Sequence, residues 1–279
     1  MATFAVKLNT AAMAGQVQRS KASFQPSGRP ARGCVSLAPV RKNSQRLVVR
    51  AHGTAEDTTR RMRPGEKKGF VEEMRFVAMR LHTKEQAPKE GQAKPAPQPM
   101  SQWQPTREGY LQYLAESQLV YAAMEKIMKD APVDSYKYFQ NTGLEREEAL
   151  GKDIAWFKET YGLEPQPLKE DGPGTTYKTL LEDLAVSDPP AFICHFYNVY
   201  FAHTAGGRMI GKKMGDMLLD GAELEFYKYE TDFKELLDVV RTNLNTVAEG
   251  WTAEEKEHCL EETEASFKNS GQIMRAMFA

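Results

Sequence analysis

The sequence predicts an all-α protein, built as a single compact multi-helix domain. Three observations predict it. Segment after segment repeats its apolar residues every three or four positions, as a half-buried helix does. No stretch keeps the period-two alternation of a strand. Nothing recurs at a fixed longer period, so a repeat solenoid is set aside.

The elements follow in order. Residues 1–50 hold no acidic residue but carry nine bases and the scattered serines Ser20, Ser23, Ser27, Ser36 and Ser44. A secretory signal needs a continuous apolar run of roughly 7–15 residues, and none is present. A basic, hydroxylated, acid-poor stretch is what an organellar transit peptide needs, and the opening Met-Ala favours a plastid. A disordered basic tail is the other reading. Cleavage is expected near Val49-Arg50-Ala51, leaving 51–66 as a flexible mature N-terminus and 67–279 as the domain.

Phe70, Met74, Val77 and Leu81 then stripe a helix from about Gly69 to Gln86. Pro88, Pro95, Pro97, Pro99 and Pro105 make residues 87–105 a surface linker. Tyr110, Leu114, Tyr121, Met124 and Met128 stripe the next helix, with Thr106 as its N-cap. Leu150, Ile154, Phe157 and Tyr161 stripe another, which Gly162 should stop. A Pro/Gly loop over 162–175 leads to a short helix from Tyr177 to Ala185. Near the end, Phe233, Leu237, Val240, Leu244 and Val247 repeat with helical period. The last segment opens on Thr252 and Glu255, a capping-box pair, and runs Leu260, Phe267, Met274 at every seventh residue.

Charge narrows the function. The chain holds 37 basic and 38 acidic residues, but nine of the bases precede the first acid, Glu56. Without the leader, 28 bases face 38 acids, a net of ten negative charges. That excludes a globally basic nucleic-acid binder. No run of eighteen apolar residues exists, which excludes a transmembrane helix. Three cysteines without a CxxC pair make no disulfide framework, and Cys34 leaves with the leader. Ser–His–Asp, Walker and dinucleotide fingerprints are missing. The polar, amphipathic helices suit a monomer.

Two segments break this plain pattern. In Ala191–Lys213, Phe192, Phe196, Tyr197, Tyr200 and Phe201 leave almost no polar face, so that helix must be buried nearly all round. Gly206, Gly207 and Gly211 follow inside what otherwise continues as helix. Each costs about 1 kcal/mol against alanine, so something must offset roughly 3 kcal/mol. Either a flat ligand lies against bare backbone or a neighbouring helix packs closely; the spacing fits both. In the first helix, Arg75 and His82 stand seven residues apart, on nearly one side. His82 is suited to ligate a heme iron, or is an ordinary core or surface histidine. A guanidinium about 10 Å along the same face could meet a carboxylate of the same ligand. Cys194, His195, His258 and Cys259 suggest a zinc site, against which stands the 100° divergence of adjacent helical side chains.

Together, FVEEMRFVAMRLHTK (Phe70–Lys84) and HFYNVYFAHTAGGRMIGKK (His195–Lys213) closely resemble the plastid, ferredoxin-dependent haem (heme) oxygenases of plants. ELEFYKYE and HCLEETEASFK near the C-terminus are similar too, so the resemblance spans the mature chain. It implies the heme oxygenase fold, with heme sandwiched between a proximal first helix and a kinked distal helix. By position, His82 is the implied proximal iron ligand. Gly206 and Gly207 line the distal helix, Arg75 and Tyr197 hold the propionates, and Arg241 is a less secure third partner. Ala202 stands where many relatives have glycine. His203 replaces an aspartate that anchors distal water in many non-plant members, and is expected to contribute in its place.

The resemblance further implies opening of heme, both substrate and cofactor, at the α-meso carbon to biliverdin IXα, CO and ferrous iron. Biliverdin of this kind is the precursor for phytochrome chromophore synthesis. Electrons would come from ferredoxin in the chloroplast stroma. Ferredoxin is acidic and so is the mature chain, so docking needs a local basic patch. Arg208, Lys212 and Lys213 are the first candidates, Lys68 and Arg80 the second. The rivals are a non-catalytic tetrapyrrole carrier or regulator on the same scaffold, a helical interaction module with no ligand, and a related helical fold that takes a different small molecule, which would leave the glycine kink and His82 without a purpose.

Overall fold

The computed structural model describes residues 69–86 and 102–278, the side chains of 82–86 excepted. The expected leader, the segment 51–66 and most of the 87–105 linker lie outside the described residues. Among those residues no strand occurs, as expected, and nine α-helices run in order where the apolar spacing predicts seven: the 191–213 stretch and the last segment are each two helices. They are α1 (Phe70–Gln86), α2 (Arg107–Asp130), α3 (Glu147–Tyr161), α4 (Pro173–Ser187), α5 (Pro189–Ala202), α6 (Arg208–Leu218), α7 (Phe233–Glu249), α8 (Ala253–Glu261) and α9 (Thr263–Met274).

The caps are where local chemistry puts them. Thr106 accepts the Gly109 N–H at 2.9 Å and starts α2. Gly162 ends α3 at φ 65°, a left-handed conformation that glycine adopts without a Cβ penalty. Thr252 and Glu255 bond each other's backbone N–H groups at 3.2 and 2.7 Å, the expected reciprocal box. α4 begins earlier than its apolar stripe suggests. Pro173 sits in its first turn, where the missing N–H costs nothing, and the buried Glu116 carboxylate accepts the Gly174 N–H at 2.7 Å.

α2 is the long central strut, packed on α3, α4 and the C-terminal turn (Arg275–Phe278). α5 is the hydrophobic axis, with 11 of its 14 residues buried. It continues into α6 through one wide turn, His203–Gly207, in which the Arg208 N–H reaches back five residues to the His203 carbonyl. Glycines inside the helix therefore widen a turn instead of breaking it.

The final segment departs from its heptad. It breaks at Glu262, and Cys259, Thr263, Ser266, Ile273 and Met277 are buried, not Leu260, Phe267 and Met274. Thr263 faces inward there because it meets a polar partner. The Cys194 thiol lies 3.4 Å from the Thr263 hydroxyl. His195 donates from Nε2 to Glu262 (2.9 Å) and accepts at Nδ1 from the Tyr177 hydroxyl (2.7 Å). His258 pairs instead with Asp188 at 2.7 Å. The suspected zinc site is thereby dismantled, and among the described residues no His, Cys, Asp or Glu group could hold a metal. Among them, too, no helix is long and apolar enough to cross a membrane.

Candidate functional site

Three residues far apart in sequence meet where α1, α5 and α7 come together. Tyr197, on α5, is buried, and Phe201 one turn on stacks against it with ring centroids 4.0 Å apart. Arg241, on α7, lays its guanidinium over the Phe201 ring at 4.9 Å, and its positive charge acts on the Tyr197 phenol. Arg75, on α1, adds its positive field and is held by Glu72 at 3.2 Å. Burial pushes the Tyr197 phenol up to about 12, opposed by both arginines, so it stays a neutral donor. Arg241 is also fixed by Asp238 at 2.6 Å. Two half-buried guanidiniums and a phenol on adjoining helices can bind carboxylates by charge-assisted hydrogen bonds.

The wide turn supplies a different surface. Ala202, Ala205, Gly206 and Met209 are all exposed, giving a small-residue face with one flexible apolar chain. The glycines there are not equivalent. A Cβ at Gly206 would meet nothing within 4 Å. At Gly207 it would stand 3.0 Å from His203 Nδ1, and at Gly211 only 2.5 Å from the Tyr227 ring. Close internal packing therefore accounts for Gly207 and Gly211, and the open-face alternative holds for Gly206 alone.

His203 faces inward from the same turn. Its Nε2 donates to the Phe226 carbonyl at 2.9 Å, and its ring stacks on Phe226 at 4.1 Å. A carbonyl only accepts, so Nε2 carries the proton and Nδ1 the lone pair. Burial pulls the ring down to about 3, which keeps it neutral at any ordinary pH. Sequence spacing could not find Phe226, Tyr227 or Tyr121, which pack around this imidazole from other elements. His82 lies on α1, outside the described side chains.

The expected basic patch is only partly free. Lys212 is exposed but pairs with Asp216 at 3.6 Å. Arg208 turns back to cover the Phe233 ring at 4.6 Å, and Lys213 is half-buried.

A flat tetrapyrrole with two carboxylate tails fits these residues. The arginines and phenol suit the tails, and the bare Gly206 face suits the ring. Known proteins agree. Residues 77–276 match the family model described as Heme oxygenase. The chain is 53% identical over 246 residues to heme oxygenase 1, chloroplastic, of Arabidopsis thaliana, covering 87% of this chain and 86% of that one. It is 56% identical over 213 residues to the protein of the same name in Oryza sativa subsp. japonica (76% and 72% covered). Identity falls to 39% over 233 residues, 77% of each chain, with a probable inactive heme oxygenase 2, chloroplastic, of Arabidopsis. In fold, it matches the crystal structure of heme oxygenase-2 from Synechocystis sp. PCC 6803 in complex with heme and NO, at TM-score 0.58 and 18% identity, covering 75% of this chain and 85% of that one. With its helical fold and the family match over most of its length, the chain belongs to the heme oxygenase family.

Proposed function

We propose that this chain is a plastid heme oxygenase that opens heme at the α-meso carbon to biliverdin IXα, CO and ferrous iron. Its electrons come from reduced ferredoxin in the chloroplast stroma, its product feeds phytochrome chromophore synthesis, and it works as a monomer. The observation that carries the reading is the closeness of Arg75 and Arg241 to Tyr197, with the bare Gly206 face nine residues further along the same helical run.

Heme, when bound, supplies both the oxygen-activating iron and the ring that is opened. The chain supplies position and polarity. His82 would hold the iron through a neutral imidazole. Arg75, Tyr197 and Arg241 hold the two propionates, which selects the ring edge that faces inward. Gly206 lets the distal backbone lie against the porphyrin face. The His203 ring, neutral and pinned through Nε2, offers Nδ1 as an acceptor that orders water without itself giving up a proton. Lys212 and Lys213 draw in the acidic electron donor.

The stronger likeness to relatives named heme oxygenase 1 than to those named probable inactive supports catalysis over the carrier alternative. The test follows absorbance of the mature fragment with hemin, ferredoxin, its reductase and NADPH. Loss of the Soret band with growth of a biliverdin spectrum, abolished in His82→Ala, is the expected result. A stable Soret band without turnover would establish the carrier reading, and no Soret shift on adding hemin would overturn both.

A further inference from the structure

Asp153 on α3 is 2% exposed and uses both carboxylate oxygens on backbone. Oδ1 accepts the Glu225 N–H and Oδ2 the Phe226 N–H, each at 2.8 Å. These are successive amides of the single turn Glu225–Tyr227, which is closed by the Lys228 N–H on the Glu225 carbonyl at 3.0 Å. A carboxylate holding two consecutive amides fixes the plane of the peptide between them, and the Tyr227 N–H on the Leu224 carbonyl at 3.2 Å holds the following peptide, so together they set the direction of the next carbonyl. That carbonyl belongs to Phe226 and accepts His203 Nε2–H at 2.9 Å. Phe226 holds the same imidazole a second way, ring on ring at 4.1 Å and 25°. The far nitrogen, Nδ1, stands 3.0 Å from where a Cβ on Gly207 would be, inside the wide turn.

We propose that Asp153 is a positioning residue for this turn: by clamping the Glu225 and Phe226 amides it aims the Phe226 carbonyl at His203 Nε2, and so fixes Nδ1 as the nitrogen that presents its lone pair beside Gly207. Nothing else on α3 reaches the distal helix by such a route. A neutral imidazole with a mobile partner would exchange between its two tautomers, and the acceptor in the turn would become a donor part of the time. Asp153 thus acts on the distal side without touching it. The consequence for ring opening rests on the function proposed above; the clamp itself does not.

The experiment is nitrogen-15 NMR of histidine-labelled, heme-free full-length chain, reading the two ring nitrogens of His203 in wild type and Asp153→Asn. Asparagine keeps one acceptor for the two amides and sets its own N–H₂ against the other. Wild type should show one Nε2–H tautomer, and the variant should move both nitrogen shifts toward the averaged values of a mixture. A titration of the wild type from pH 5 to 8 reads the same coupling without a mutation. As the Asp153 carboxyl, pushed up to about 6 by burial, loses its proton, the His203 nitrogens should shift with that midpoint.

The groups facing His203 are Arg146, Arg208 and the phenols Tyr121, Tyr227 and Tyr229, which burial raises and so keeps neutral through that range. Asp153 is faced by Tyr110 and Tyr227, whose phenols burial also raises, and by Glu225 and Lys228, paired at 2.7 Å. The inflection should therefore survive in Glu225→Gln. Unchanged His203 shifts in Asp153→Asn, or a flat wild-type titration where the variant does not fold, overturn the proposal. In the heme-loaded enzyme, ring opening in the variant should fall roughly tenfold at unchanged hemin affinity. A tautomer change with full activity would sink the proposed role of His203 in catalysis and leave the clamp standing.

Discussion

Placing alanine at Gly211 and at Gly206 separates the two explanations for glycine in the distal helix. At Gly211 the new Cβ would stand 2.5 Å from Cε2 and Cζ of Tyr227, whose ring is buried and anchored by its hydroxyl to Tyr110 at 2.9 Å. Ordinary contact begins near 3.4 Å, so the ring must retreat by close to 1 Å. Overpacking of this kind costs about 1–3 kcal/mol, and disturbing the buried hydroxyl pair costs about 1 more. Alanine's better helix propensity returns about 1 kcal/mol. The net is a loss of roughly 1–3 kcal/mol, or about 2–10 °C in melting temperature for a domain of this size. At Gly206 the same methyl meets nothing, so only the propensity gain remains, about 0–1 kcal/mol. Heme-free Gly206→Ala should thus melt at or slightly above wild type, yet bind hemin about five- to a hundredfold more weakly because the methyl occupies the porphyrin face. Circular-dichroism melts and Soret titrations read the two effects separately. The reasoning is refuted if heme-free Gly206→Ala melts as low as Gly211→Ala, or if it binds hemin as tightly as wild type.

Other perturbations follow from named contacts. Arg241→Ala and Tyr197→Phe should each weaken hemin binding about two- to tenfold and allow biliverdin isomers other than IXα, seen by chromatography of the products. His203 is neutral in the fold down to about pH 3, whereas an unfolded histidine takes a proton below about 6.5. Stability should therefore fall as pH drops from 6.5, by about 2 kcal/mol at pH 5, and urea titrations of His203→Phe should lack that share of the slope. Tyr177→Phe leaves the buried His195 Nδ1 without its 2.7 Å donor and should lower stability by about 1–3 kcal/mol, read by thermal melts. Neutralising Lys212 and Lys213 should slow the ferredoxin-driven rate and flatten its salt dependence, and an unchanged rate with unchanged salt dependence would remove them from docking.

What the sequence reveals depends on how far apart the cooperating residues lie. Thr106, Gly162 and the Thr252–Glu255 pair act within four residues of themselves, so the boundaries they set are legible by inspection. The start of α4 carries a local signal in Pro173, which its apolar stripe conceals. The buried polar face of α8 and α9 is not legible at all, because Thr263 is inward by virtue of Cys194, on α5, far off in sequence. The same holds for the cluster proposed to hold the propionates. Arg75, Tyr197 and Arg241 stand on three separate helices, and spacing alone could not join them; the resemblance named them, and the fold brings them together.

The distal turn lies between these extremes. Its three glycines look alike in sequence, yet the exposed set Ala202, Ala205, Gly206 and Met209 falls at intervals of three, one and three. The inward set His203, Gly207, Gly211 and Met214, of which Gly207 is only half-buried, falls at four, four and three. Both are helical faces, so the division of labour was present in the spacing: one face bare toward open space, the other shaved to admit His203 and Tyr227. What spacing could not supply is the reason the inner face holds a histidine. That comes from Phe226, 23 residues away, and from Asp153, 73 residues from Phe226. A substitution that looks remote from the site can thus alter the acceptor inside it, since the chain of contacts from α3 to the wide turn runs entirely through backbone amides and one carbonyl.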